Sequence, residues 1–183
     1  MYQGEASIAG VDATQYAPLR NGDSRVIEDA KTYVARMHAT CLPHFPEELL
    51  VEWLYRHHNT LHTYAFLFES LRFRHQTWRL EDVPGCEAFE DRKFCVNFSR
   101  SFNVRARDPL DWLAQYMNQH GTWNTPVVLL ENLRGEIIST PLITLRQPYH
   151  LLEGHRRLSF LVALRNQGRA RLEHTVWLAR KVL

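Results

Sequence analysis

The chain is poor in cysteine, in net charge and in long apolar runs, and each shortage excludes something. Its 183 residues hold three cysteines, Cys41, Cys86 and Cys95. An odd number with no CxxC spacing is neither a disulfide framework nor a zinc ribbon. The opening residues MYQGEASIAG lack a basic region followed by an apolar one. On that basis the thiols read as reduced, Cys95 as a buried inert thiol, and the protein as cytoplasmic. No stretch approaches the roughly 18 apolar residues that cross a bilayer, so no membrane partner is expected. The net charge is only +2, too small to announce nucleic-acid binding without a clustered patch. Repeats and low-complexity tracts are absent. His58 and His62 stand four apart, a helical spacing that suits zinc, but no third ligand matches and no HExxH arrangement exists; an exposed polar face is the simpler account.

What is present is ordinary globular material, 45% hydrophobic and 23% charged, enough to build a real core. Residues 1–23 are small, polar and turn-rich and read as a loose arm. Asp23 or Ser24 caps a helix to about Thr40, broken by Cys41-Leu42-Pro43-His44. Pro46-Glu47-Glu48 starts a second helix, since proline needs no donor there and carboxylates suit the positive end. This helix continues through the LLVEWLYRHHNTLHTYAFLFESL stretch with a break near Asn59. The aromatics Trp53, Tyr55, Tyr64, Phe66 and Phe68 read as core. RFRHQTWRL alternates as a strand does, EDVPGCEAFEDRK is a turn region, and KFCVNFSRSFNVRA reads as β-rich. The divide is placed at residue 92, with a helical region over 1–92 and an α+β domain over 93–183.

In the second region Asp108-Pro109-Leu110-Asp111 starts a helix with Leu110, Leu113, Ala114 and Met117 on one face, stopping at His120-Gly121. TPVVLLE and YHLLE follow as strands around the loop or hairpin LRGEIISTPLITLRQP. Residues 155–167 form a helix ended by Gly168, and HTVWLAR is the last strand. The fold class is α+β, a small mixed sheet with helices packed on it. Trp123 and Trp177 flank strands and either cover a ligand pocket or, more economically, serve packing.

The turn inside YHLLEGHRRLSFLVAL carries the chemistry. Gly154 sits at a strand-to-helix junction, where a residue without Cβ lets the backbone turn or a ligand approach. The next residues, His155, Arg156 and Arg157, bring basic groups to a helix end that is already positive. An anion accepting both the free amides and the guanidinium donors resolves the conflict. The alternative is that Arg156 and Arg157 pair with Glu153, Glu131 or Asp111 and only hold the turn.

The run DPLDWLAQYMNQHGTWNTPVVLLE, followed by YHLLEGHRRLSFLVALRNQGRARLEHTVWLAR, resembles the ParB/sulfiredoxin superfamily over about residues 93–183. The resemblance implies a nucleotide-binding domain in which Gly154, His155, Arg156 and Arg157 contact phosphates. Arg105 or Arg107 are further candidates. The cofactor it implies is a nucleoside triphosphate, ATP or CTP, with or without Mg; haem and flavin are not expected. Phosphoryl hydrolysis or transfer is the implied chemistry, with His155 as donor or proton carrier and Glu153 or Glu131 as the nearest acid. Gly154 stands where sulfiredoxin has its cysteine, so sulfinic-acid reduction is not expected. The nucleotide motif and helix-turn-helix that follow in chromosome-partitioning members are missing, which argues against a DNA-sliding clamp. The other reading is a non-catalytic DNA-binding or protein-interaction module using Arg165, Arg169 and Arg171.

Overall fold

A computed structural model describes residues 12–137, 140 and 143–182. The fold is mixed α+β, as the sequence indicates, and the chain divides into two compact units. The first runs up to Phe73 and includes Thr140, Ile143, Lys181 and Val182; the second spans Arg74 to Ile137 and Thr144 to Arg180. The divide therefore falls inside a strand between Phe73 and Arg74, not at residue 92.

The first unit is helical. A 3-10 turn over Ala13–Tyr16, capped by Asp12, drops Tyr16 into the core, so this part of the expected loose arm is held. Residues 1–11 of that arm lie outside the described residues. Helix α1 (Ala30–Ala39) starts at Asp29, whose carboxylate accepts from the Thr32 amide, five or six residues beyond the expected cap at Ser24 or Asp23. Asp29 is favoured there because its side chain satisfies an amide that the helix leaves orphaned. Ser24 instead has φ +62° in a turn. The helix expected from Pro46 comes in pieces: α2 (Glu47–Leu49), a π-helical turn Leu50–Tyr55, a 3-10 stretch His58–Thr63 and α3 (Ala65–Phe68). The aromatic core forms around Phe68, whose ring meets Tyr16, Phe45 and Trp53 edge-on. His58 donates from Nδ1 to the Tyr55 carbonyl oxygen, at 2.7 Å.

The second unit holds most of a four-stranded sheet. Its strands are β1 (Leu71–Arg79), β2 (Val127–Glu131), β3 (Tyr149–Glu153) and β4 (Glu173–Lys181), ordered β1-β4-β2-β3. β2 runs parallel to β4 and antiparallel to β3. Central β2 is an apolar run buried on both faces, as an interior strand must be.

Three helices complete the unit: α4 (Arg92–Arg105), α5 (Trp112–His120) and α6 (His155–Asn166). α6 packs on β2 and against α4 and α5. Leu158, Phe160, Leu161 and Leu164 meet Phe102, Met117, Val127 and Leu129 in one core.

Two expectations fail here. KFCVNFSRSFNVRA is not β-rich; it is α4, capped by Asp91. Cys95 is not a free thiol, because it forms a disulfide with Cys86. Only Cys41 is reduced. The cytoplasmic expectation leaned on reduced thiols, and the disulfide removes that support. No helix among the described residues is long and apolar enough to cross a membrane.

Candidate functional site

The strand-to-helix turn is built as the sequence suggests, but for a reason of packing. Gly154 caps α6 with φ +101°, a conformation that side chains rarely tolerate. A Cβ there would lie 2.6 Å from Cγ1 of Val127 on β2. Glycine is therefore required for β3 to turn into α6 against the central strand, whether or not a ligand approaches.

The cations of the turn are met by carboxylates. Arg156 places Nη2 at 2.7 and 2.6 Å from the two oxygens of Asp111. Arg157 donates to Glu153 one turn back, at 2.8 Å. Glu131 is on a different strand position and accepts two bonds from Arg180 of β4. Of the alternatives open in the sequence, pairing with Asp111 and Glu153 is what forms.

Asp111 is the hub. It is the N-cap of α5, accepting from the Ala114 amide at 3.1 Å, and it also accepts from Arg105 Nη1 at 3.2 Å. Burial would raise its pKa; the Ala114 amide, Arg156 and Arg105 outweigh that and hold it below the usual carboxylate value. α5 thus starts at Asp111, three residues later than expected. Asp108 forms its own turn to the Leu110 amide, and Leu110 is 89% exposed rather than on the packed face.

Arg105 and Arg156 rest their guanidinium groups on Phe98 and Phe160, at 4.6 and 5.5 Å from the ring centres. Their side chains remain 39% and 42% exposed. Arg107 is exposed on the turn beyond α4.

His155 is set differently from the other basic residues. Its ring lies edge-on to Phe89 and Phe94, at 5.6 and 5.9 Å. Behind it on β3 is His150, fully buried, accepting from the Arg146 amide through Nδ1. Burial, with the nearby His155 and Arg146, pulls the His150 pKa down to about 3. The structure therefore gathers Gly154, Arg156 and Arg105 at one corner. It commits Glu153 to Arg157, sets Glu131 apart with Arg180, and seats His155 among phenylalanines.

Two arginines of the DNA-binding reading are bonded within the fold. Arg165 is a structural clamp, its Nη2 donating to the Leu80 and Val83 carbonyls at 2.7 Å. Arg169 is bound to Asn118 on α5. Among the described residues no three metal-ligating side chains converge. Trp112, Tyr116 and His120 stand four apart along α5, with the Tyr116 and His120 rings 4.3 Å apart.

No family model, curated protein or solved structure matches the chain.

Proposed function

We propose that the second unit binds a phosphate-bearing ligand, a nucleotide, at the corner formed by Arg105, Asp111 and Arg156 beside the start of α6. One observation carries this. Two guanidinium groups share a single carboxylate, so the corner keeps an uncompensated positive charge next to a helix end with no side-chain cap. Amides and guanidinium groups converging in this way suit a phosphate, which accepts several charge-assisted hydrogen bonds at once. Arg156 bonds Asp111 through Nη2 alone, and its buried Nε has no hydrogen-bond partner among the described residues.

The corner fits an anion better than it fits Mg. Its carboxylate is already taken by two cations, and Glu153 is occupied by Arg157. Binding, rather than phosphoryl transfer, is therefore the function with support. Calorimetric titration with ATP and CTP, with and without magnesium, tests it. The expected result is saturable binding that an Arg105→Gln/Arg156→Gln double variant weakens at least about tenfold, the loss of roughly one charge-assisted bond. No heat for the wild type, or equal affinity in the variant, refutes the assignment.

A further inference from the structure

The first turn of α4 is held by a covalent bond where its charges work against it. Arg92 and Lys93 open the helix with no acid in that turn, so two cations sit on an end that is already positive. The nearby acids are engaged elsewhere on the backbone. Glu87 accepts from the Gly85 amide, Glu90 from the Thr144 amide and Asp91 from the Lys93 amide. What pins the turn is Cys95, its fourth residue, bonded to Cys86 in the preceding 3-10 turn. That 3-10 turn is anchored independently: Phe89 just after it is buried, and the Phe89 and Glu90 carbonyls accept from Nε and Nη2 of Arg146. A firm segment therefore holds a weak helix start through one bond.

Ring contacts carry that start to the phosphate corner. Phe94, inside the pinned turn, stacks on Phe98 at 4.3 Å with 21° between the planes. Phe98 in turn lies under the Arg105 guanidinium, 4.6 Å from its ring centre. Arg105 also donates to Asp111, but at 3.2 Å that is long for a charge-assisted bond, so the ring beneath it is a main support. Phe94 and Phe89 also meet the ring of His155, the residue before Arg156. One residue next to the disulfide thus touches the supports of both arginines.

We propose that the Cys86–Cys95 disulfide is a redox switch for the phosphate corner, holding Arg105 and α6 for an anion when oxidised and releasing the first turn of α4 when reduced. The inference rests on the phosphate corner proposed above and adds its regulation. The reductant is a thiol of the glutathione class. Its thiolate attacks Sγ of Cys86, which is partly exposed, whereas Cys95 is fully buried. The S–S bond breaks, and its electron pair leaves on Cys95 Sγ, which takes up a proton. A helix start beside Arg92 and Lys93 favours that leaving thiolate. A second reductant thiol then displaces Cys86 as a thiol and leaves as the oxidised disulfide. The bistable element is the turn Arg92–Cys95, which unwinds once only its unfavourable charges and the Asp91 cap remain.

The test compares the full chain, oxidised and reduced by millimolar glutathione, with alkylation counting free thiols and circular dichroism following the fold. On reduction, amide hydrogen exchange should quicken at Phe94 and Cys95 while Leu158 and Leu161 of α6 stay protected. The NMR signal of the Arg105 Nε proton should lose its ring-current shift. Calorimetry with ATP and CTP should show the reduced chain binding about 5-fold or more weakly, the usual lower range of a coupling between sites. By reciprocity, nucleotide should make the disulfide harder to reduce by the same factor. A Cys86→Ser/Cys95→Ala variant should bind like the reduced chain at every thiol concentration. A disulfide that resists glutathione in the folded chain, global unfolding on reduction, an unmoved Arg105 signal, or equal nucleotide affinity in the two forms overturns the switch while the nucleotide corner stands. Failure of the oxidised chain to bind nucleotide removes both proposals.

Discussion

At the scale of single residues, Gly154 sets the turn into α6 and Asp111 the start of α5. Gly154 looks like an opening for a ligand, yet its immediate neighbour is Val127, a core side chain. An alanine there must adopt a left-handed backbone and displace the valine. Gly154→Ala should therefore cost about 2–5 kcal/mol in urea unfolding, from roughly 1–2 of backbone strain and 1–3 of overpacking. Adding Val127→Ala should recover part of the overpacking loss, a non-additivity that a variant affecting only ligand binding would not show. Asp111 is a second case. Its residue type reads as one cap among several, because a linear sequence does not reveal that guanidinium groups from two other helices converge on it. Asp111→Ala removes the cap and strands two cations. A loss of about 2–3 kcal/mol is expected, above the roughly 1 typical of a surface cap alone.

At the scale of elements, strands β2, β3 and β4 and helix α6 are legible because each is a short apolar run set between turn residues, with Gly154 and Gly168 bounding α6. α4 is not, because KFCVNFSRSFNVR supports two periods. Phe94, Val96 and Phe98 alternate as in a strand, while Phe94, Phe98 and Phe102 recur every four residues as in a helix. The helical period wins through packing. Phe94 and Phe98 stack at 4.3 Å, Phe102 meets Phe160 of α6, and Asp91 satisfies a leading amide. The Cys86–Cys95 bond then ties the preceding 3-10 turn to α4 across nine positions of sequence. No spacing rule picks this pair out of three cysteines. For a loop this short, loop-closure entropy gives about 2–3 kcal/mol. Reduction with dithiothreitol, or a Cys86→Ser/Cys95→Ala variant, should lower unfolding stability by that amount. In the α2–α3 region the helical apolar spacing with a break near Asn59 matches the 3-10 stretch at His58–Thr63, whereas the π-helical turn at Leu50–Tyr55 leaves no mark in that pattern.

At the scale of the molecule, the pH response follows from histidines buried in their neutral form. His150 has its pKa pulled down to about 3, and burial lowers that of His174 as well. The unfolded chain protonates both near pH 6.5, and the folded chain does not. Their neutral burial thus costs nothing above about pH 6.5, and stability falls as pH drops towards 3. His150 alone should remove about 1.4 kcal/mol per pH unit, or about 2–3 kcal/mol between pH 7.5 and 4.5. Thermal unfolding across that range checks it, and His150→Gln should flatten the curve. Fold class was the most readable property of the chain, because hydrophobic periodicity reports it directly. The candidate site was readable only in part: local order brings Gly154 and Arg156 together, but the arrival of Arg105 and Asp111 depends on how three helices meet. That meeting has one more result. An anion drawn to Arg156 competes with Asp111 for the same guanidinium, so ligand arrival loosens the carboxylate that starts α5. The Ala114 amide, bonded to Asp111 from inside the helix, becomes a built-in reporter whose NMR shift should move on binding although it never touches the ligand.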